Sequence, residues 1–456
     1  MRIVSALGRK FWILSAGCAY LWLAGSFSPA QALPSFSKQT GLSCETCHTA
    51  FPELTAYGRA FKLNGYVDIN GPQIKDPAEA AGDTAPACTA AGSKLELNNT
   101  FPLSLMLQAA DTWVKNPPAG AASPDSDGNG YLELPCQFSI YYSGKIAPQV
   151  GAYVHATYQS VSNSFVFDNS ELRFAQKFRA GDKDLVLGLT LNNNPSVQDA
   201  YNDTPAWGYP YYTGKKYSSG PSVNTQVESL GQAVGGLGAY AFWDNLLYAE
   251  ISAYRSAPAG STPANDIQGF APYWRVALQR DLGVHFIEIG AFGLDEHAYP
   301  QGSAGSAASG GQDEYVDVGM DAQYQYLDGP GAFTLKGHFI CETTTWGYSL
   351  ANPGLPAMPA NASDNLGAFR VDATYYYDHT VGATAGYFST TGSADARLYA
   401  ADPGNVPDST GWVFELNYLP WSNTKLTLQY VDFTEFNGDR DASGNNTMMA
   451  MATVMY

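Results

Sequence analysis

Cys44-Glu45-Thr46-Cys47-His48 is the arrangement that fastens a haem to a polypeptide. Two thiols at this spacing reach the porphyrin vinyl groups as thioethers, and the adjacent imidazole reaches the iron. A thioredoxin-like dithiol would need a βαβ context, which is absent around these residues. A zinc site would want more Cys or His nearby, and the next cysteine is Cys88. A Cys44–Cys47 disulfide would be short and strained. The expectation is one covalently bound haem c, with Cys44 and Cys47 as tethers and His48 as an axial ligand of its iron.

The other axial ligand is less legible. No Met and no second His occurs between Leu33 and Leu105, and the first Met beyond is Met106. Lys62 and Tyr66 are close in sequence but uncommon in the role. Either the iron is five-coordinate or the remainder of the chain supplies a ligand, which would set the haem in or against the larger domain. Residues 33–100 are too few and too polar to enclose a haem alone. Phe51, Leu54, Phe61 and Leu63 are spaced as on a helix, whereas Gly71-Pro72 and the Ala/Pro/Gly-rich run 77–92 read as linker.

Upstream, residues 1–32 read as an export signal. Arg2, Arg9 and Lys10 precede an apolar run from Phe11 to Leu23, and Ala30-Gln31-Ala32 supplies a small-residue cleavage site. The run is shorter than the roughly 20 apolar residues of a membrane-spanning helix. Cys18 after Leu14-Ser15-Ala16-Gly17 hints at a lipoprotein signal, but cleavage there would leave Ala19-Tyr20-Leu21-Trp22-Leu23 on the mature end. Cleavage after Ala32 removes three basic and no acidic side chains, taking the formal charge from −18 to −21. Such a chain has nothing to displace phosphate counterions, which excludes nucleic acid as a partner.

What positions the motif is an all-β chain. Aromatic and Gly-rich stretches with only 14% charged residues fall into strand-sized segments from about Phe101 onward. They run 103–113, 136–146, 149–160, 166–179, 184–193, 234–242, 246–256, 269–281, 283–295, 313–327, 330–343, 365–377, 379–390, 410–419, 422–434 and 445–456. Connections after odd-numbered strands are mostly long and those after even-numbered strands short, as at Ala147-Pro148 and Trp243-Asp244-Asn245. Long outer loops alternating with tight periplasmic turns characterise outer-membrane barrels, and a soluble sandwich has no reason to alternate so. The expected architecture is a 16-stranded transmembrane antiparallel β-barrel over 101–456, its lumen plugged by a small, partly helical cytochrome segment and linker at 33–100. Tyr456 closes an alternating strand, and terminal aromatics of this kind resemble the signal read by barrel-assembly machinery.

Alternation then assigns faces. Leu426, Leu428 and Tyr430 face lipid against Lys425, Thr427 and Gln429; Val316, Val318, Met320 and Ala322 face lipid against Asp317, Gly319, Asp321 and Gln323. By the same rule His155, His338, Met449, Met451 and Met455 face the lumen. His155, His338, Met449 and Met451 are the candidate sixth ligands, each also readable as plain lining. His285 and Met320 fall on the lipid face.

Three weaker signals remain. Asp125-Ser126-Asp127-Gly128-Asn129-Gly130 begins like a calcium loop, but position twelve is Cys136 rather than Glu, which favours a solvated turn. Cys88 and Cys136 could pair if the linker rises through the lumen, with Cys136 at the outer end of the second strand. Cys341 on the lipid face reads as an inert apolar residue. The aromatic loop Thr204-Pro205-Ala206-Trp207-Gly208-Tyr209-Pro210-Tyr211-Tyr212 either folds inward or caps the barrel, and inward is the preferred reading.

The stretch Phe36-Ser37-Lys38-Gln39-Thr40-Gly41-Leu42-Ser43-Cys44, then Cys47-His48, then Phe51-Pro52-Glu53-Leu54-Thr55-Ala56-Tyr57-Gly58-Arg59-Ala60-Phe61-Lys62-Leu63-Asn64-Gly65-Tyr66, resembles the fused outer-membrane monohaem cytochrome–porins of iron-oxidising bacteria. Leu189-Thr190-Leu191-Asn192-Asn193-Asn194-Pro195 and Thr204-Pro205-Ala206-Trp207-Gly208 are also similar, more loosely. Lys38 stands where the family carries Arg. The resemblance implies an electron conduit in the outer membrane that oxidises extracellular Fe(II) and passes electrons through the haem to a periplasmic c-type cytochrome. Two rivals stay open: a cytochrome–porin with another extracellular donor or acceptor, and a diffusion porin with an ancillary haem segment. Haem-peroxidase chemistry would need a distal acid–base residue, and none stands out.

Overall fold

The computed structural model describes residues 35–40, 42–50, 52–67, 103–115, 131–159, 163–207, 223–257, 266–300, 311–352, 355, 358–421 and 423–456. The expected export signal, the linker at 77–92, Cys88 and the calcium-like run 125–130 lie outside these residues.

The N-terminal segment contains α1 (Ser35–Thr40), α2 (Cys44–Cys47), β1 (His48–Ala50), β2 (Glu53–Leu54) and α3 (Ala56–Leu63). Thr55 caps α3, its hydroxyl accepting from the Gly58 amide at 3.2 Å. Gly65 ends the helix at φ +74°, with Gly65 N–H donating to Lys62 O at 3.1 Å and Tyr66 N–H to Phe61 O at 3.0 Å. That bond pair is a Schellman stop, and the Phe61–Tyr66 ring contact at 6.2 Å supplies its usual apolar partner. Phe36 stacks on Tyr66 and meets Phe61 edge-on, both at 5.2 Å, so α1 and α3 share one aromatic knot.

The wall comprises β3 (Leu103–Val114), β4 (Tyr131–Ala147), β5 (Val150–Gln159), β6 (Ser164–Phe167), β7 (Glu171–Ala180), β8 (Lys183–Asn192), β9 (Val234–Trp243), β10 (Leu247–Ser256), β11 (Asp266–Ile267), β12 (Ala271–Leu282), β13 (His285–Tyr299), β14 (Asp313–Asp328), β15 (Gly331–Thr345), β16 (Ser363–Tyr377), β17 (Val381–Gly392), β18 (Ser409–Trp421), β19 (Thr424–Glu435) and β20 (Thr447–Met455). β6 and β7 occupy one wall position and β11 and β12 another, giving sixteen antiparallel strands closed by β20 on β3. Closure satisfies every backbone group in lipid without leaving an edge.

Leu189, Ile251, Trp274, Ile289, Phe339 and Leu416 are exposed on the outer face, while Thr190, Glu250, Arg275 and Glu288 are buried on the inner one. Trp243, Tyr326, Tyr377 and Trp421 are exposed beside the tight turns, forming an aromatic girdle there. A closed wall with this exterior spans the bacterial outer membrane. His285, Met320 and Cys341 are exposed on the lipid side, as alternation requires.

Boundaries differ most at Pro135. β4 begins at Tyr131, five residues before the expected start, so Cys136 sits within the strand and not at its outer end. Proline has no N–H to give a ladder, and here it lies where the β3–β4 register shifts between Gln108 and Ala110. The expected strand 166–179 is interrupted at 168–170, where the Asp168 amide still bonds His155 O at 2.8 Å.

Candidate functional site

The N-terminal segment is held by side chains of the barrel's inner face. Tyr66 donates to Glu171 at 2.6 Å, and Tyr240 donates to Leu63 O at 2.6 Å. Lys336 pairs with Glu53 at 3.1 Å. Arg59 donates to Leu54 O at 2.7 Å and Gln325 at 3.0 Å, and its other nitrogen meets Asp281 at 3.1 Å. At Gly151 a Cβ would collide with Gly65 O, so β5 and the segment approach backbone to backbone.

Above it lies an inward loop between β8 and β9. Lys62 donates to Val197 O at 2.8 Å and Asp199 O at 2.6 Å, and Asn202 donates to Pro52 O at 2.6 Å. Ser196, Gln198, Asp199, Tyr201 and Thr204 are fully buried, so residues up to Trp207 follow the expected inward path. Residues 208–212 of the aromatic run lie outside the described ones. Higher still, helix α4 (Gln226–Ser229) presents its first amides to wall carboxylates: Gln226 N–H to Glu342 at 2.6 Å and Val227 N–H to Asp317 at 2.7 Å.

β14 reads this stacking on one face. Gln325 donates to Leu54 O at 3.2 Å, Gln323 to Tyr201 O at 3.0 Å, and Asp317 receives Val227. The lumen therefore holds three floors, with the Cys-x-x-Cys-His segment nearest the tight turns.

Within that floor α2 leaves Cys44 and Cys47 partly exposed. Burial raises the Cys44 thiol above its ordinary range. The Thr55 amide donates to Cys47 O at 2.9 Å and the Thr55 hydroxyl to Thr46 O at 2.6 Å, tying the motif to the head of α3. A Cβ on Gly58 would land on the Cys47 carbonyl, so only glycine admits this packing. Desolvation pushes His48 down to about 4, against the pull of Glu53, leaving a neutral imidazole at neutral pH. Two accessible thiols on one helical turn beside a neutral imidazole fit haem attachment. Burial also lowers Lys62 to about 8 and Arg59 to about 10, both still largely protonated at neutral pH.

The four candidate sixth ligands all face the lumen. His155 is engaged at both nitrogens, by Thr157 Oγ1 and by Asp168 at 3.4 Å, and stacks on Tyr141 at 4.2 Å. Met449 and Met451 pack with Ala110 and Cys136 in an apolar cluster. His338 Nδ1 meets Asp203 O at 2.9 Å, while its buried Nε2 has no hydrogen-bond partner among the described residues. Because a carbonyl only accepts, the proton sits on Nδ1 and the Nε2 lone pair is available.

Sequence reading did not anticipate a second cluster. Arg275 Nη2 lies 3.2 Å from Asp199, 3.5 Å from Asp203 and 3.4 Å from Glu288, and Nη1 lies 2.5 Å from Asp321, every side chain fully buried. Only the alternating acidic residues of β14 hinted at it, since Asp199 and Asp203 reach it from the loop.

No family model and no curated protein matches the chain. Among solved structures it is similar to Salmonella typhi OmpF in complex with daunomycin (14% identity, TM-score 0.45, covering 78% of this chain and 97% of that one). It is also similar to the outer membrane channel DcaP of Acinetobacter baumannii (12%, 0.44, 78% and 96%) and to an anion-selective porin from Comamonas acidovorans (11%, 0.44, 78% and 98%).

Proposed function

We propose that this protein is an outer-membrane electron conduit that takes electrons from extracellular Fe(II), carries them on one haem c tethered by Cys44 and Cys47 and ligated by His48, and delivers them to a periplasmic c-type cytochrome. The observation that carries this reading is the filled lumen. A diffusion pore needs a wetted lining, whereas Arg173, Arg275 and Gln325 are 0% exposed and Glu288 1%. The N-terminal resemblance supports Fe(II) as donor.

A bound haem supplies reversible one-electron chemistry whose potential responds to burial and hydrogen bonding. The chain's own residues do the rest. The α2 turn presents both thiols, His48 offers an uncharged nitrogen, and Thr55 with Gly58 fixes the turn against α3. Arg59 and Tyr66 bolt that platform to the wall and Lys62 ties it to the inward loop, which keeps water from it. The segment's position nearest the tight turns favours electron delivery on the periplasmic side.

The passive-channel reading draws on a different observation: the wall closes through its own strands, without the N-terminal segment. One experiment separates the two. Purified oxidised protein is treated anaerobically with Fe(II) while the haem bands are followed, and the same preparation in liposomes is assayed for sugar leakage. Reduction without leakage is expected, with pigment retained through denaturing electrophoresis and lost in Cys44→Ala/Cys47→Ala. Leakage without covalent pigment would establish the passive channel instead.

A further inference from the structure

Lys336 stands on the inner face of β15, with Asp372 opposite it on β16, and both are buried. Its ammonium reaches off the wall. Nζ lies 3.1 Å from Glu53 of the N-terminal segment and donates to Asn202 O of the inward loop at 3.3 Å. The Lys336 and Glu53 side chains are 4% and 2% exposed. One wall cation thus touches both lower floors of the lumen.

Glu53 opens β2, whose short ladder with β1 pairs Glu53 with Ala50 and Leu54 with His48. The carboxylate therefore belongs to the same two-stranded sheet as the imidazole. Burial lowers the His48 ring, and Glu53 is the first charge to act against it, ahead of the lowering by Lys62. Lys62 itself is turned to Val197 O and Asp199 O. A buried ion pair contributes little net stability over apolar packing, because desolvating two charges offsets their attraction. Stability alone explains this one poorly. A redox centre gives it another role: the oxidised form carries one more positive charge, so its equilibrium responds to each nearby charge that water does not screen.

We propose that Lys336 and Glu53 are a matched charge pair that sets the reduction potential of the haem iron ligated by His48. The inference rests on haem attachment at Cys44, Cys47 and His48. Glu53 favours the oxidised centre, and Lys336 offsets that preference. Neither is an iron ligand; both act through the field at the imidazole. Because the carboxylate rides on the segment and the ammonium on the wall, the potential is set only once the segment is seated in the barrel.

The test is a redox titration of the full-length protein in detergent, followed on the haem bands, with barrel closure verified by heat-dependent gel mobility. Lys336→Met removes one positive charge and should shift the one-electron equilibrium about tenfold toward the oxidised form, about 59 mV downward. Glu53→Gln removes one negative charge and should move it as far upward. The double variant should return close to the starting value. A merely structural pair predicts something else, since loosening the segment admits water in both single variants and moves both the same way. Shifts of one sign, or no resolvable shift in either, would overturn the pairing. Lys336→Arg keeps the charge and should keep the potential, which decides the matter should Glu53→Gln not close; a shift matching that of Lys336→Met would overturn the proposal. Protein without covalent pigment would overturn the haem reading itself and this inference with it, whereas pigment with unmoved potentials sinks the inference alone.

Discussion

The guanidinium of Arg59 lies 3.4 Å from the centre of the Phe286 ring, a plug residue stacked on the inner face of β13. The same group spans to Gln325 on β14 and Asp281 on β12, so three neighbouring strands hold one side chain. Arg59→Ala is expected to loosen the plug by about 1–3 kcal/mol, the lower part of the range for a buried charged group, because Asp281 is 41% exposed and rehydrates. Arg59→Lys should recover little, since a point charge cannot replace a planar fork. Proteolysis of the N-terminal segment in closed barrels measures both.

Gly151→Ala tests the plug from the wall side. The new methyl would occupy the position of Gly65 O, while β5 itself accepts alanine. Barrel closure should persist and the segment should become protease-sensitive. Unchanged protection would show that the backbones do not meet as described.

Gly58→Ala acts on the motif directly, by displacing Cys47 from the head of α3. The expected result is a severalfold drop in covalent pigment per barrel, read by haem staining against total protein. Equal staining would remove Gly58 from the attachment geometry.

Lys62 gives a pH dependence. Its ordinary value is 10.5 and burial lowers it to about 8 in the folded chain. Between those values the unfolded chain binds the proton and the folded chain does not, so plug stability rises with pH across that window. Below about 8 both states are protonated and the full cost of burying the charge is present. Lys62→Met should flatten this rise and leave Val197 O and Asp199 O without their donor. Protease protection from pH 7 to 10 checks it.

The wall was legible because inward and outward residues alternate along each strand and tight turns have short, distinctive sequences. The early start of β4 was not legible, since Pro135 breaks the ladder pattern and is admitted only by extra β4 residues opposite the Gln108–Ala110 step of β3. The inward loop was legible in direction through its aromatics, but not in its chemistry. Asp199 and Asp203 share one loop far in sequence from Arg275, and periodicity carries no information on what a loop brings to a strand. Facing likewise selected His155 and His338 equally. Only the partners of their nitrogens, Asp168 and Thr157 in one case and Asp203 O in the other, tell them apart.

The seam between β20 and β3 carries reciprocal bonds between Leu105 and Tyr456, both at 2.8 Å. First and last wall strands thus meet, and the sheet can seal only after every intervening hairpin has been laid down. Residues 35–67 precede all of them yet finish enclosed. That segment can therefore settle inside only while the cylinder is still open or as it closes, and drawing it out again would mean parting that seam or unthreading it past the inward loop.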